Sequence, residues 1–330
     1  MLTSIRSTML ILAGLILGIG CTIASDFDKQ IEQEFKVGKG GTLRLESDLG
    51  SVNVRSHSSD VVRITVTMIA NTGSRGSAED WFDEFEIKFD QSGNDVEVLG
   101  EWRDSWGRNN RLRISYDIVV PTEYNLDIST AGGSISVDDL EGEVALKTSG
   151  GSIKVGEIAG NVNAKTSGGS ITVERTRGEA TVNTSGGSIN LGEIDGPVEA
   201  RTSGGGIRAD RVDGDVIAHT SGGSINLKFV TGIVDAKTSG GSIHAELQKP
   251  VSKPMELRTS GGGITLTVPS DFKADLDAST SGGRVKTDLP VTMKGTVSKT
   301  SLQGKLNGGG PKVVLRTSGG NIEIHENRGI

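Results

Sequence analysis

The chain has 330 residues, enough to bury a substantial core, and a formal net charge of −7 at pH 7 from 35 Lys and Arg against 42 Asp and Glu. That balance, with no run of basic residues interleaved with aromatics, excludes a nucleic-acid binder. Cys21 is the only cysteine, so no disulfide can form within the chain and stability must come from packing.

Residues 1–24 read as an export signal. Arg6 gives a positive start, residues 9–19 an apolar core, and Thr22-Ile23-Ala24 a small-residue cleavage pattern. The apolar run is too short for a comfortable transmembrane helix, and no other segment is suited to crossing a membrane as one. The expected location is the periplasm or the cell surface. Cys21 lies inside this signal and is expected to be discarded with it. Lipid attachment at Cys21, which follows Leu17-Gly18-Ile19-Gly20, is the alternative, and it is the one route by which the chain would meet a membrane.

Residues 25–128 form an aromatic-rich β region, since ten of the twelve aromatics lie before residue 125. Strands are expected near 43–45, 52–54, 61–68, 84–89, 96–99 and 112–119, with a hairpin turn at Gly93-Asn94. Residues 77–85 are expected to make one or two helical turns with Trp81 and Phe85 on one face. The acidic group Glu79, Asp80, Asp83 and Glu84 is read as helix-start carboxylates rather than a metal site. The whole region is expected to cap the N-terminal end of a repeat array, covering the strand edge of its first rung.

Residues 129–248 carry the clearest signal. The motif Thr-Ser-Gly-Gly-Ser-Ile recurs in this form or nearly so, with its Thr at 130, 148, 166, 184, 202, 220 and 238, a constant spacing of 18. Within one unit, Val162, Ala164 and Thr166 alternate with polar residues, a Gly-Gly turn comes next, and Ile171 and Val173 alternate again. A fixed period with a glycine corner and apolar walls predicts an all-β, single-chain β-solenoid (β-helix) of about ten rungs. The paired glycines are expected to supply backbone angles that a side chain forbids, and the Thr hydroxyls to point inward and bond to a neighbouring rung. Calcium-binding β-rolls are disfavoured because turns such as Gly168-Gly169-Ser170-Ile171-Thr172 lack the Asp those rolls use. Left-handed hexapeptide helices are disfavoured because the unit shows two clear strands and one vaguer side.

Residues 249–330 lose the 18-residue beat, with Thr at 259, 280, 300 and 317 and prolines at 250, 254, 269, 290 and 311. They are expected to form irregular rungs and a C-terminal cap, the polar finish at His325-Glu326-Asn327-Arg328 closing the rod.

Three motifs together resemble a bacterial family: Gly41-Thr42-Leu43-Arg44-Leu45 leading to Leu49-Gly50-Ser51-Val52-Asn53-Val54, the Val120-Pro121 pair before the first regular rung, and the Thr-Ser-Gly-Gly-Ser-Ile rungs. Over nearly all of residues 35–325 the chain looks like the putative-adhesin domains of unknown function found in exported envelope proteins. The resemblance implies an envelope β-solenoid and transfers no functional residue.

Candidate chemistry is sparse. His57, His219, His244 and His325 are far apart in sequence and are read as structural or solvated; no cofactor and no metal site is expected. The densest charged patch of the solenoid is Arg208, Asp210, Arg211, Asp213 and Asp215. It is the one place for a carbohydrate-active β-helix enzyme, a polysaccharide lyase or hydrolase acting through Asp210 or Asp213, and is otherwise a self-neutralising corner.

A second feature is the residue before each Thr, which should point outward: Lys147, Lys165, Asn183, Arg201, His219, Lys237, Arg258, Ser279, Lys299 and Arg316. Aligned about 4.8 Å apart, Lys147, Lys165, Arg201, His219, Lys237, Arg258, Lys299 and Arg316 would form a basic column in an acidic protein. Such a column suits a polyanion, for example an acidic envelope polysaccharide. The opposing reading is a solubilising strand face, with Glu199, Asp235, Glu256 and Asp277 partly neutralising it. The expected function is therefore a non-catalytic exported envelope rod with an adhesin-like binding or scaffold role. Its partner would be an envelope polysaccharide, another polyanion or a protein.

Overall fold

The computed structural model describes residues 26–103, 112–293 and 298–327. The export signal at 1–24, with Cys21, lies outside the described residues. The chain coils into two long sheets of 14 and 15 strands. Setting aside two flanking strands of the first and three of the second leaves twelve parallel rungs, each with one strand in either sheet. Among the described residues no helix is long and apolar enough to cross a membrane.

A regular rung runs through Val162–Lys165 in one sheet and Ile171–Thr176 in the other. The parallel register advances by one repeat at each step, Val162 beside Ala180 and Ile171 beside Ile189. Each inward position therefore becomes a column: Ile153, Ile171, Ile189, Ile207, Ile225 and Ile243 are all buried, as are Ala164, Val182, Ala200, Ala218 and Ala236. Each fully buried Ile or Val contributes about 1.5–3 kcal/mol, and the small Ala and Val columns let the two sheets approach closely. The longer strand also bends. Ile171, Val173 and Thr176 face in, whereas Glu174 and Arg175 both face out, and the ladder skips Glu174. This bend is the vaguer third side of the repeat.

The Thr column does face inward. Thr148, Thr166, Thr184, Thr220 and Thr238 each donate Oγ1–H to the carbonyl of the second glycine of the preceding turn, at 2.7 Å. The glycines act differently from expectation. None of the paired glycines in these turns has a left-handed φ; positive values occur instead at Gly40, Gly50, Gly93, Gly142, Gly308 and Gly309. What the second glycine supplies is space. A Cβ on Gly151 would lie 2.0 Å from the carbonyl oxygen of Gly133, and one on Gly187 2.1 Å from that of Gly169. Turns stacked this closely leave no room for a methyl group.

Rung order departs from chain order at both ends. Near the N-terminus, Thr42–Ser47 and Ser51–His57 make the rung beside Asn125–Thr130 and Ile135–Val137, so the solenoid is already under way before residue 125. Asp95–Trp102 and Leu112–Pro121 form a rung outside it. Antiparallel strands then close both sheets, Val61–Asn71 and Asp26–Lys36 on one side and Phe85–Ser92 on the other. The Gly93-Asn94 hairpin forms as expected, with Gly93 at φ 64°.

The helix between these strands spans Arg75–Glu84 and buries Ala78 and Phe82. Its first turn holds no acidic residue, so the reading of helix-start carboxylates is corrected. Glu79 instead pairs with Arg75 one turn back, and Asp83 approaches Lys29 at 3.8 Å. Phe85 meets Trp102 edge-to-face at 5.2 Å.

At the other end, Lys312–Thr317 and Ile322–Glu326 slot between the rung of Met255–Arg258 and Ile264–Val268 and that of Ala274–Thr280 and Val285–Thr287. The polar finish at His325, Glu326 and Asn327 therefore does not close the rod. That role falls to Ala274–Thr280 and the antiparallel strands Ser301–Leu306 and Val291–Thr292. A last strand tucked between two others has backbone partners on both edges, and an antiparallel hairpin can cover the remaining edge without a further crossover.

The 18-residue step holds through Ala245 and first fails at Leu247. Leu227 pairs with Ala245 and Val230 with Leu247, so Lys228 and Phe229 oppose Glu246 alone in a bulge. The extra length is absorbed at Phe229, which has φ 47° and an exposed side chain. For a residue other than glycine this conformation costs about 1–3 kcal/mol.

Adjacent glycines give a direct test of the stacking requirement. Nothing lies within 4 Å of a Cβ built on Gly150, in contrast to Gly151. Gly151→Ala should lose about 1–3 kcal/mol in urea denaturation, as overpacking does. Gly150→Ala should stay within about 0.5 kcal/mol of the parent.

Candidate functional site

The shorter strands place the expected basic residues in one column. The register sets Lys147, Lys165, Asn183, Arg201, His219, Lys237 and Arg258 side by side in successive rungs. Two positions are corrected. Arg316 follows Arg258 directly, ahead of Ser279, because the last rung of the sequence is not the last in space. Lys299 is not in the column; it lies in the loop before Ser301–Leu306, where its carbonyl accepts from the Val285 amide.

The column divides into two parts by the residue that stands two places earlier in each strand. From Arg201 onward this position holds Glu199, Asp235, Glu256 and Asp277, with Ile217 before His219 and Val314 before Arg316. Arg201 pairs with Glu199 at 2.8 Å, and Lys237 with Asp235 at 3.0 Å and Glu256 at 3.2 Å. Arg258 also binds Glu256, and Arg316 reaches across to Asp277 of the outermost rung. Arg201 Nη1 donates to His219 Nδ1 at 2.7 Å, which leaves the ring proton on Nε2, 3.4 Å from Asp235 Oδ1.

Ahead of Arg201 the same position is neutral: Ala145, Asn163 and Thr181. Among the described residues neither Lys147 nor Lys165 has an ion-pair partner, and both are exposed. With Asn183, Arg201 and the exposed Ser149, Ser167, Ser185 and Ser203 they line an open groove of about 410 Å³. The serines were not singled out from sequence, although their fixed place after each Thr would have found them. The groove offers two free ammonium groups one rung apart, an amide and a row of hydroxyls, a set suited to hydrogen-bonding anionic oxygens.

Electrostatics support this division. The Asp235 hydrogen bond raises the Lys237 ammonium above its usual range. Burial works to raise the Glu256 carboxyl, but the hydrogen bonds from Arg258 and Lys237 outweigh it and hold the group low. The hydrogen bond from Arg316 likewise holds Asp277 below the usual carboxylate range. These charges are committed to one another.

The charges of the other patch are each paired, two pairs within the patch and Asp215 with a lysine outside it. Arg208 binds Asp210 at 2.8 Å, Arg211 binds Asp213 at 3.1 Å, and Asp215 meets Lys253 at 3.3 Å while accepting the Ile233 amide at 3.0 Å. Asp210 and Asp213 thus each sit against their own guanidinium. His219 and His244 occupy strands of different sheets, and His325 lies near Asp288 and Glu323. Among the described residues no group of three or more His, Cys, Asp or Glu is placed to hold a metal ion.

The coiled parallel sheets, glycine-stacked turns and outward polar columns define an all-β repeat protein of the solenoid class. The chain belongs to the Toastrack family, DUF4097, whose family model matches residues 42–248 and again 215–325. These bounds run from the first rung strand to the last and leave out Asp26–Lys36. The comparison with curated proteins found no match. Among solved structures, a putative adhesin from Parabacteroides merdae is 11% identical, with 91% of this chain and 97% of that one covered and a TM-score of 0.36. A putative lipid binding protein from Parabacteroides distasonis is 11% identical with the same coverage and a TM-score of 0.35. A putative adhesin from Bacteroides fragilis is 13% identical, again at 91% and 97%, with a TM-score of 0.30. Scores of this size carry no argument about the present chain.

The Arg316–Asp277 pair ties the tucked rung to the outermost one and gives a pH signature. The Asp277 pKa is lower in the folded than in the unfolded chain, so its contribution is complete above the unfolded value of about 4 and is lost as pH falls through the depressed one. Asp277→Asn should cost about 1 kcal/mol at pH 7 and flatten the fall of the denaturation midpoint below pH 4.

Proposed function

We propose that this chain is a non-catalytic, exported envelope rod with an adhesin-like binding role, and that it holds a linear polyanionic glycopolymer along the groove at Lys147 and Lys165. The observation that carries this reading is the division of the basic column. In a protein of net charge −7, two adjacent ammonium groups stand without carboxylate partners among the described residues, whereas the cations from Arg201 to Arg316 are paired. Like charges about 4.8 Å apart on neighbouring strands repel, and an anionic chain lying parallel to the rod axis would relieve that repulsion at both rungs. Membership of the Toastrack family accords with a β-solenoid scaffold. The export pattern at residues 1–24 accords with an envelope location.

The test is binding of the mature chain to polygalacturonate and to a polyglycerol phosphate at low and high salt. Binding should be saturable and weaken with salt, as exposed charge interactions do. Lys147→Glu/Lys165→Glu should weaken it by about tenfold or more. Lys237→Glu/Arg258→Glu, which alters the paired half, should weaken it far less. Equal loss in both variants, or no binding by the parent, would overturn the reading.

A further inference from the structure

We propose that Phe229 is a stacking platform for the apolar face of a neutral pyranose ring, a second binding site away from the basic groove. An isolated exposed apolar residue means little by itself, but several observations meet here. Phe229 is the one large hydrophobic exposed among the described residues, at 47%. It stands on a left-handed backbone with φ 47°, which Gly or Asn would adopt with less strain. It also interrupts a charged series, for the same outward position holds Glu157, Arg175, Glu193 and Arg211 in the four preceding rungs.

Charged residues neighbour Phe229 in the register. The register places Asp210 and Arg211 on the rung before, between the Ala209–Leu227 and Val212–Val230 pairs, and Glu246 on the rung after. Arg211 is bound to Asp213, and Glu246 accepts from Gln248 at 3.0 Å and from Asn327 at 3.3 Å. An exposed aromatic ring with guanidinium, carboxylate and amide residues on the neighbouring rungs suits a sugar ring, with C–H groups on one face and hydroxyls at its edge. The flanking charges balance: Arg208, Arg211 and Lys228 against Asp210, Asp213 and Glu246. The match is therefore to a neutral sugar. The groove lies on the shorter strands, whereas Phe229 lies in Ile225–Val230 of the other sheet.

The experiment is an amide NMR titration of the mature chain with cellohexaose and, separately, with chitohexaose. Saturable shifts centred on Lys228, Phe229 and Arg211 are expected with one or both. Phe229→Gly and Phe229→Asn should weaken them about tenfold while the melting temperature holds or rises as strain is released. Lys147→Glu/Lys165→Glu and added salt should leave them unchanged, so failure here is distinguishable from failure of the polyanion groove. Absence of shifts with both sugars in the parent, or binding that survives in both Phe229 variants, would overturn the proposal.

Discussion

The turn between the two strands of each rung is the constraint on which the rest depends. Among the described residues, ten threonine hydroxyls at this turn donate to a glycine carbonyl of the adjacent rung. Each bond places a buried hydroxyl against a carbonyl left open at the corner, and an unmet partner there would cost about 1–3 kcal/mol. The same turn brings glycine over glycine so tightly that the second position tolerates no Cβ. Together these contacts fix the axial spacing, and with it the alignment of every outward column.

The bond follows space rather than sequence. Thr317 donates to Gly262, 55 residues earlier, and Thr280 to Gly320, 40 residues later. The terminal rung thus enters the stack with the same local chemistry as the regular ones, although the chain reaches it out of order. Its side-chain tie from Arg316 to Asp277 then commits the cation at the far end of the column. Topology at the C-terminal end and electrostatics along the rod are in this way coupled.

The repeat, its two strands, the inward threonines and the basic column are legible in the sequence because each depends on a residue type recurring at a fixed step. The illegible parts depend on non-periodic pairing. Lys299-Thr300-Ser301 imitates the start of a rung motif but lacks the Gly-Gly found after it elsewhere; Lys299 and Thr300 lie in a loop and Ser301 opens an antiparallel strand instead of a rung turn. The place of Arg316 beside Arg258 depends on insertion of the last rung, which no local pattern announces. The role of the glycines is hidden because composition does not distinguish a need for a special angle from a need for room. The fixed step puts Phe229 in an outward column, but its left-handed backbone has no sequence signal; that goes with the lost residue in the next rung, which leaves two residues facing one.

The division of the column is the central claim, and the side-chain ammonium signals of Lys147, Lys165 and Lys237 report on it directly. In a titration with oligogalacturonate observed by lysine-detected NMR, Lys147 and Lys165 should shift together while Lys237, held between Asp235 and Glu256, stays in place. Equal shifts at all three, or movement of Lys237 alone, would contradict it.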